Sequence, residues 1–166
     1  MRKDFLTMST THELNLTVNG EEWQLSVKGA ETLLEVLRKH LTLTGAKSNC
    51  LEGECGVCAV LMNGRVVNSC ILLAAQCEGA QITTIEGLAN GETMHALQAA
   101  FLNRGAVQCG YCIPGMIMTA AGYLKENPAP TEEEIREGLC GTLCRCTGYT
   151  KIVEAVQEAA QTMGAK

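Results

Sequence analysis

The chain has 166 residues, 46% of them hydrophobic but only 4% aromatic, enough for one ordinary domain or two small ones with cores of Leu, Ile, Val, Ala and Met. A formal charge of −5 argues against a nucleic-acid partner, which needs a basic face. Residues 1–11 carry Arg2 and Lys3 but no apolar run that could form a signal-peptide core, and no stretch approaches a membrane span. These features point to a cytoplasmic protein, in which ten cysteines bind metal more readily than they form disulfides.

The first half reads as a small sheet. Leu14, Leu16 and Val18 alternate, Asn19-Gly20 suits a type I′ turn, and Trp23, Leu25 and Val27 alternate on the return strand. Thr32 followed three residues later by Glu35 has the capping-box pattern, and Leu33, Leu34, Leu37 and Leu41 recur at helical spacing. A second hairpin is predicted from Ala59–Met62, Asn63-Gly64 and Arg65–Val67, and a closing strand from Gln81–Ile85. From about Glu92 the period becomes helical. Helices are expected over His95–Arg104, from Pro114 to about Lys125, after a second capping-box pattern at Thr131 and Glu134, and from about Lys151. The predicted organisation is a tail at 1–11, an α+β domain at 12–90 and a helical bundle at 91–166, with the boundary near Asn90-Gly91.

Cys50, Cys55, Cys58 and Cys70 have the C-x4-C-x2-C spacing with a later fourth Cys that belongs to plant-type [2Fe–2S] ferredoxins. Gly53 and Gly56 allow the loop positive φ, so that backbone N–H groups can face a negatively charged cluster. Zinc, the alternative, favours two short Cys pairs, which the four-residue first gap fits less well. Cys109 and Cys112 precede a predicted helix, and Cys144 and Cys146 supply two more thiols near another. Spacing alone marks these four as a second metal site and leaves iron–sulfur and zinc both open.

Three segments taken together extend this reading. They are Cys50-Leu-Glu-Gly-Glu-Cys55-Gly-Val-Cys58, Gln108-Cys109-Gly-Tyr-Cys112-Ile-Pro-Gly115 and Gly141-Thr-Leu-Cys144-Arg-Cys146-Thr-Gly-Tyr149. In this order they resemble the small subunits of the xanthine oxidase family of molybdenum hydroxylases, over about residues 13 to 160. The resemblance implies an N-terminal β-grasp, ferredoxin-like domain followed by a four-helix bundle, each with one [2Fe–2S] cluster. It implies that Cys109, Cys112, Cys144 and Cys146 hold the cluster proximal to molybdenum and that Cys50, Cys55, Cys58 and Cys70 hold the distal one. Gln108 and the sulfur of Cys146 would hydrogen-bond the pterin. The implied partners are a large molybdopterin subunit and a medium FAD subunit, in a complex that can dimerise. Ile113, Thr142 and Ala59 depart from the residues usual in relatives without removing a ligand.

The remaining chemistry-bearing residues read as ordinary. Cys77 and Cys140 fall outside both sets and are expected to be buried thiols. His12, His40 and His95 follow no ligand spacing, Arg145 is compatible with a solvated side chain, Met116–Met118 suits core or interface, and Glu132–Glu134 form an acidic first helical turn. No nucleophile triad, phosphate loop or dinucleotide fingerprint is present, so no catalytic residue is assigned. The expected role is electron relay within an oxidoreductase complex. A free-standing two-cluster carrier and a zinc-bearing interaction module are the alternatives.

Overall fold

Two Asn-Gly pairs shape the sheet. In a computed structural model, which describes residues 11–164, Asn19 and Gly20 have φ of 53° and 87°, the two positive values that a type I′ turn requires. They join β1 (Thr11–Val18) to β2 (Glu21–Lys28) in an antiparallel pair with Leu16 opposite Trp23. Asn63 and Gly64, at 52° and 83°, join β3 (Ala59–Met62) to β4 (Arg65–Asn68) in the same way. β5 (Gln81–Thr83) lies between the hairpins, parallel to β1 and antiparallel to β3, giving the order β2-β1-β5-β3-β4. Residues 1–10 of the predicted tail lie outside the described residues; Thr11 opens β1.

Leu14, Leu16 and Val18 are buried as their alternation predicts. Trp23 is not: it sits on an edge strand and stays more than one-third exposed. The strand predicted to reach Ile85 ends at Thr83. Thr84 is diverted by Asn19, whose Oδ1 accepts the Thr84 N–H at 2.9 Å and whose Nδ2 donates to Thr84 Oγ1 at 3.0 Å. A 3-10 turn, Ile85–Gly87, follows.

The helix across the sheet begins as the capping box predicts. Thr32 Oγ1 accepts the Glu35 N–H, and the Glu35 carboxylate accepts the Thr32 N–H. Only α1 (Leu33–Glu35) is α-helical; Val36–His40 widens into a π-helical turn closed by the Leu41 N–H on the Val36 carbonyl. Leu33, Leu34, Val36 and Leu37 are buried beneath the sheet in one apolar core with Leu14, Val60 and Ile82. This helix on a mixed sheet is a β-grasp.

Four helices follow: α2 (Ala96–Asn103), α3 (Ile113–Glu126), α4 (Glu132–Gly138) and α5 (Thr150–Gly164). His95 caps α2, Pro114 lies in the first turn of α3, and Thr131 and Glu134 form the second capping box. The bundle core includes Leu97, Phe101, Met116, Ile135, Ile152 and Val156. Met116, Ile117 and Met118 are all buried, as expected of core. The two halves share a boundary in which Cys55 and Val57, from the sheet half, belong to the bundle's core. On the same side, α3 crosses the β3–β4 hairpin at Gly122, where a Cβ would strike Val66. No helix among the described residues is long and apolar enough to cross a membrane.

Candidate metal centres

The loop from Cys50 to Cys58 turns back on itself through positive φ at Leu51 (62°), Gly53 (84°) and Gly56 (68°). That conformation aims successive N–H groups at one point, a concavity suited to an anion. Cys50 shows the effect. The Glu52 N–H, with smaller help from those of Cys55 and Glu54 and against the cost of burial, draws its thiol down to about 6. Cys50 also hydrogen-bonds Cys55, while Cys58 pairs with Cys70. Burial, and then Cys58 beside it, pushes Cys70 up to about 12. The fourth cysteine is delivered by β4. Asn68 Nδ2 donates to the Gly53 carbonyl at 2.8 Å, and Ser69 Oγ donates to the Cys58 carbonyl at 2.7 Å. On the approach to Cys50, the Arg38 guanidinium donates to the carbonyls of Thr44 and Ala46, each at 2.8 Å.

The second set gathers at the N-terminal ends of two helices. Cys112 is the residue before α3, with Cys109 three positions earlier; Cys144 and Cys146 lie in the turn before α5. Their sulfurs again stand in pairs. Cys146 Sγ is 3.5 Å from Cys109 Sγ, and Cys112 hydrogen-bonds Cys144. Burial and then Cys144 push Cys112 up to about 12, and Cys109 raises Cys146. For Cys144 burial acts upward too, but the Thr147 hydroxyl and N–H and the Cys146 N–H outweigh it, so its thiol is lowered. A cleft of about 530 Å³ is lined by these four cysteines together with Cys55, Tyr111 and Tyr149, among others.

The two sets are tied together by backbone. The Leu143 N–H, adjacent to Cys144, donates to the carbonyl of Cys55 at 3.0 Å. Tyr111, between Cys109 and Cys112, donates its hydroxyl to the Ser48 carbonyl at 2.6 Å. Gly56 makes this approach possible. A Cβ there would overlap the Gly141 carbonyl and lie 2.7 Å from Thr142 Oγ1. Thr142 is buried and shares a 2.9 Å hydrogen bond with Thr119 of α3.

Among the described residues, no three of His, Cys, Asp and Glu converge on a single metal ion. Two-by-two sulfurs are instead what a binuclear iron–sulfur cluster needs, with two thiolates on each iron and N–H donors around its negative charge. Of the two cysteines outside the sets, Cys77 is buried as expected, its S–H donating to the Leu73 carbonyl at 3.7 Å. Cys140 is exposed, contrary to expectation, because it lies in the turn beyond the C-cap of α4 rather than on a core-facing helical position. Gln108, Cys109, Arg145 and Cys146 are exposed. What sequence reasoning missed is Thr147 and Tyr149. Tyr149, at φ 69°, accepts the Cys144 N–H on its hydroxyl, and the Thr147 hydroxyl touches Cys144 Sγ. Both stand in the Cys144–Tyr149 segment that carries the family resemblance, but nothing in the sequence assigns either of them a role.

Comparison with known proteins gives this geometry its context. Residues 16–89 match the 2Fe-2S iron-sulfur cluster binding domain family and residues 84–157 the [2Fe-2S] binding domain family. The chain is 48% identical over 148 residues to the nicotinate dehydrogenase small FeS subunit of Eubacterium barkeri, covering 89% of this chain and 94% of that one. It is 47% identical to the nicotine 6-hydroxylase small subunit of Paenarthrobacter nicotinovorans, with 93% of each covered. This chain belongs to the small iron–sulfur subunits of the xanthine oxidase family of molybdenum hydroxylases. The fold agrees: a chain of quinoline 2-oxidoreductase from Pseudomonas putida 86 superposes with a TM-score of 0.90 at 43% identity, over 95% of this chain and 97% of that one. In the aldehyde oxidoreductase from Desulfovibrio gigas the same fold, with a TM-score of 0.88 at 42% identity over 93% of this chain, occupies 17% of a longer polypeptide. Members of this family carry two [2Fe–2S] clusters in these two domains, and this chain has both domains.

Proposed function

We propose that this chain is the electron-relay subunit of a multi-subunit molybdenum hydroxylase, with Cys50, Cys55, Cys58 and Cys70 holding one [2Fe–2S] cluster and Cys109, Cys112, Cys144 and Cys146 the other. The pairs Cys50–Cys55 and Cys58–Cys70 would each take one iron, as would Cys112–Cys144 and Cys109–Cys146. When bound, the clusters supply one-electron carriers, so that electrons released at molybdenum in a large partner reach an FAD subunit or an external acceptor in single steps. The residues of this chain fix the spacing and solvation of those carriers. They perform no substrate chemistry.

The observation that carries the reading is the Leu143 N–H on the Cys55 carbonyl, which joins a residue adjacent to one ligand directly to a ligand of the other set. A chain meant to carry two independent clusters has no need of that contact, or of a junction so tight that only glycine fits at position 56. The ends differ in a way that suits a relay. Gln108, Cys109 and Cys146 are exposed with Tyr111 and Leu143 beside them, which supports a molybdopterin subunit at this end and pterin contacts from Gln108 and Cys146. Leu51, Ile71 and Leu73 are exposed around the other loop, where a flavin subunit would sit. The domain boundary falls near Asn90-Gly91, between the last turn of the sheet half and α2, and the complex is cytoplasmic and can dimerise.

The test is co-expression with a large molybdopterin subunit, followed by metal analysis and redox-poised EPR of the purified complex. About four irons per chain and two distinct [2Fe–2S] signals are expected. Stoichiometric zinc refutes the cluster reading. A chain that stays monomeric beside its partners while exchanging electrons with unrelated reductases refutes the subunit reading in favour of a free carrier.

A further inference from the structure

The turn that holds Cys144 contains a hydroxyl that the relay has not used. Thr147 Oγ1 lies 3.0 Å from Cys144 Sγ, and the Thr147 N–H reaches the same sulfur at 3.4 Å. The direction of the shorter contact follows from its neighbours. Thr147 Oγ1 already accepts the Tyr149 N–H at 3.2 Å, which leaves its own hydrogen to be directed elsewhere. A thiolate on iron has no hydrogen to give. The hydroxyl therefore donates to the sulfur.

The geometry is held from outside the pair. Tyr149 adopts φ 69°, a conformation that a bulky side chain rarely takes. In that pose its hydroxyl accepts the Cys144 N–H at 2.8 Å while its own N–H goes to Thr147. Cys144 is thus clamped at its backbone and solvated at its sulfur by one five-residue excursion. Among the described hydrogen bonds, no other cysteine of the second set receives a hydroxyl. Cys112, which shares its iron in the reading above, is buried, and Cys146 Sγ has Cys109 Sγ 3.5 Å away. Cys144 is also the ligand whose chain neighbour, Leu143, bonds to Cys55.

We propose that Thr147 sets the reduction potential of the helical-domain cluster by donating its hydroxyl hydrogen to the Cys144 thiolate. The proposal rests on Cys144 being a ligand, as argued above. Uptake of one electron takes a four-thiolate [2Fe–2S] cluster from a charge of about −2 to about −3. A donor at sulfur stabilises the more negative state and raises the potential. Thr147 is a positioning residue that acts through Cys144; it touches no substrate.

The assembled complex, with Thr147 replaced by Val or Ser, is titrated potentiometrically by EPR, and its iron is counted. Thr147→Val keeps the shape and loses the donor. At fixed potential its helical-domain cluster should show about a tenfold smaller reduced-to-oxidised ratio, equal to about 59 mV for a one-electron couple. Thr147→Ser should restore the wild-type value, and the sheet-domain cluster should not move in either variant. Full iron content with an unchanged potential in Thr147→Val overturns the proposal, as does a shift that Ser fails to restore. If Val prevents cluster assembly, the wild type and Thr147→Ser decide the matter. After an exchange into D2O long enough for hydroxyls and too short for hydrogen-bonded amides, pulsed EPR should show loss of a strongly coupled proton from the helical-domain signal in both proteins. No such proton overturns the proposal. Absence of a second cluster from the wild-type complex instead overturns the ligand reading on which it stands.

Discussion

Replacing Gly56 by Ala would place a methyl group where the two halves of the molecule meet. Two costs are separable. Gly56 has φ 68°, and an L-residue in the left-handed region costs about 1–2 kcal/mol. The new Cβ would also overlap the Gly141 carbonyl and lie 2.7 Å from Thr142 Oγ1 and 2.8 Å from Thr142 Cα. These are backbone atoms and a buried hydroxyl, not the end of a flexible side chain, so the loop must retreat. Overpacking of this kind costs about 1–3 kcal/mol. The total of about 2–5 kcal/mol corresponds to a fall in Tm of roughly 4–20 °C for a chain of this size. Gly79 supplies the control. It has φ 69° with nothing within 4 Å of its missing Cβ, so Gly79→Ala isolates the conformational cost. The assay is thermal unfolding of both cluster-loaded variants at one scan rate, with rapid-mixing EPR to time electron transfer between the clusters. Gly56→Ala should unfold well below Gly79→Ala and slow that transfer, because the retreat of Gly141–Leu143 lengthens the Leu143–Cys55 hydrogen bond. Equal Tm values for the two variants, with transfer unchanged, would refute the claim that the junction is sterically closed.

Serine at Cys109 should remove or strongly perturb only one EPR signal, the one magnetically coupled to molybdenum(V), whereas serine at Cys55 should affect the other; coupling that survives loss of the cluster at Cys109 would reverse the assignment of the two ends. Serine at Cys77 or Cys140 should leave about four irons per chain, though Cys77→Ser should also lower Tm, because Cys77 is fully buried and Cys140 is not. Glu78 is held below its ordinary value of 4.5 by the Asn15 N–H and then by the Asn15 side chain. Its contribution to stability is therefore present above that value and lost as pH falls through its lowered one. Glu78→Gln should flatten the acid side of a urea-midpoint-versus-pH curve, and an unchanged slope would show that this carboxylate contributes nothing there.

Much of this fold can be read from local signals because those signals have local causes. Asn19-Gly20 and Asn63-Gly64 form their turns with two positive φ values, which few other dipeptides tolerate, and the segments Thr32–Glu35 and Thr131–Glu134 form capping boxes. The sequence misleads where a long-range contact intervenes. The closing strand stops at Thr83 because Asn19, far away in sequence, captures Thr84. Trp23 shares the alternation of Leu25 and Val27, but alternation cannot show how far the core extends along β2, where Val27 is buried and Trp23 is not. At the site, the cysteine spacing indicates which thiols belong together but not how they divide. That the sulfurs stand as Cys109 with Cys146, and Cys112 with Cys144, depends on how α3 and α5 face each other. The Leu143–Cys55 contact is equally invisible in sequence, because Leu143 contributes only its N–H.

The arrangement of exposed and buried groups constrains how such a relay can work. Electron transfer between two centres needs them held at fixed separation with little solvent between, whereas transfer to another subunit needs an open edge. A single domain of this size would struggle to meet both demands, because each set of four cysteines already draws on two separate segments of chain. Two domains meet them by division. Cys55, Cys58, Cys70 and Cys112 are buried, and Val57, Gly56 and Thr142 pack closely where the two halves meet. Cys109 and Cys146 are exposed, and Cys50 is only partly covered. Solvation favours the more negative, reduced form of a cluster, so an outward-facing set would gain reducing equivalents more readily in water than under a protein partner. Docking of a large subunit over Gln108, Tyr111 and Leu143 would strip that water away. What would remain to stabilise the reduced state at the covered end is the protein's own donors, and at Cys144 these are the Thr147 hydroxyl and N–H and the Cys146 N–H. If Cys144 holds the helical-domain cluster as proposed, the Thr147 hydroxyl beside it would matter most in the assembled complex, where it would favour the reduced form of that cluster next to the Leu143 bridge to Cys55.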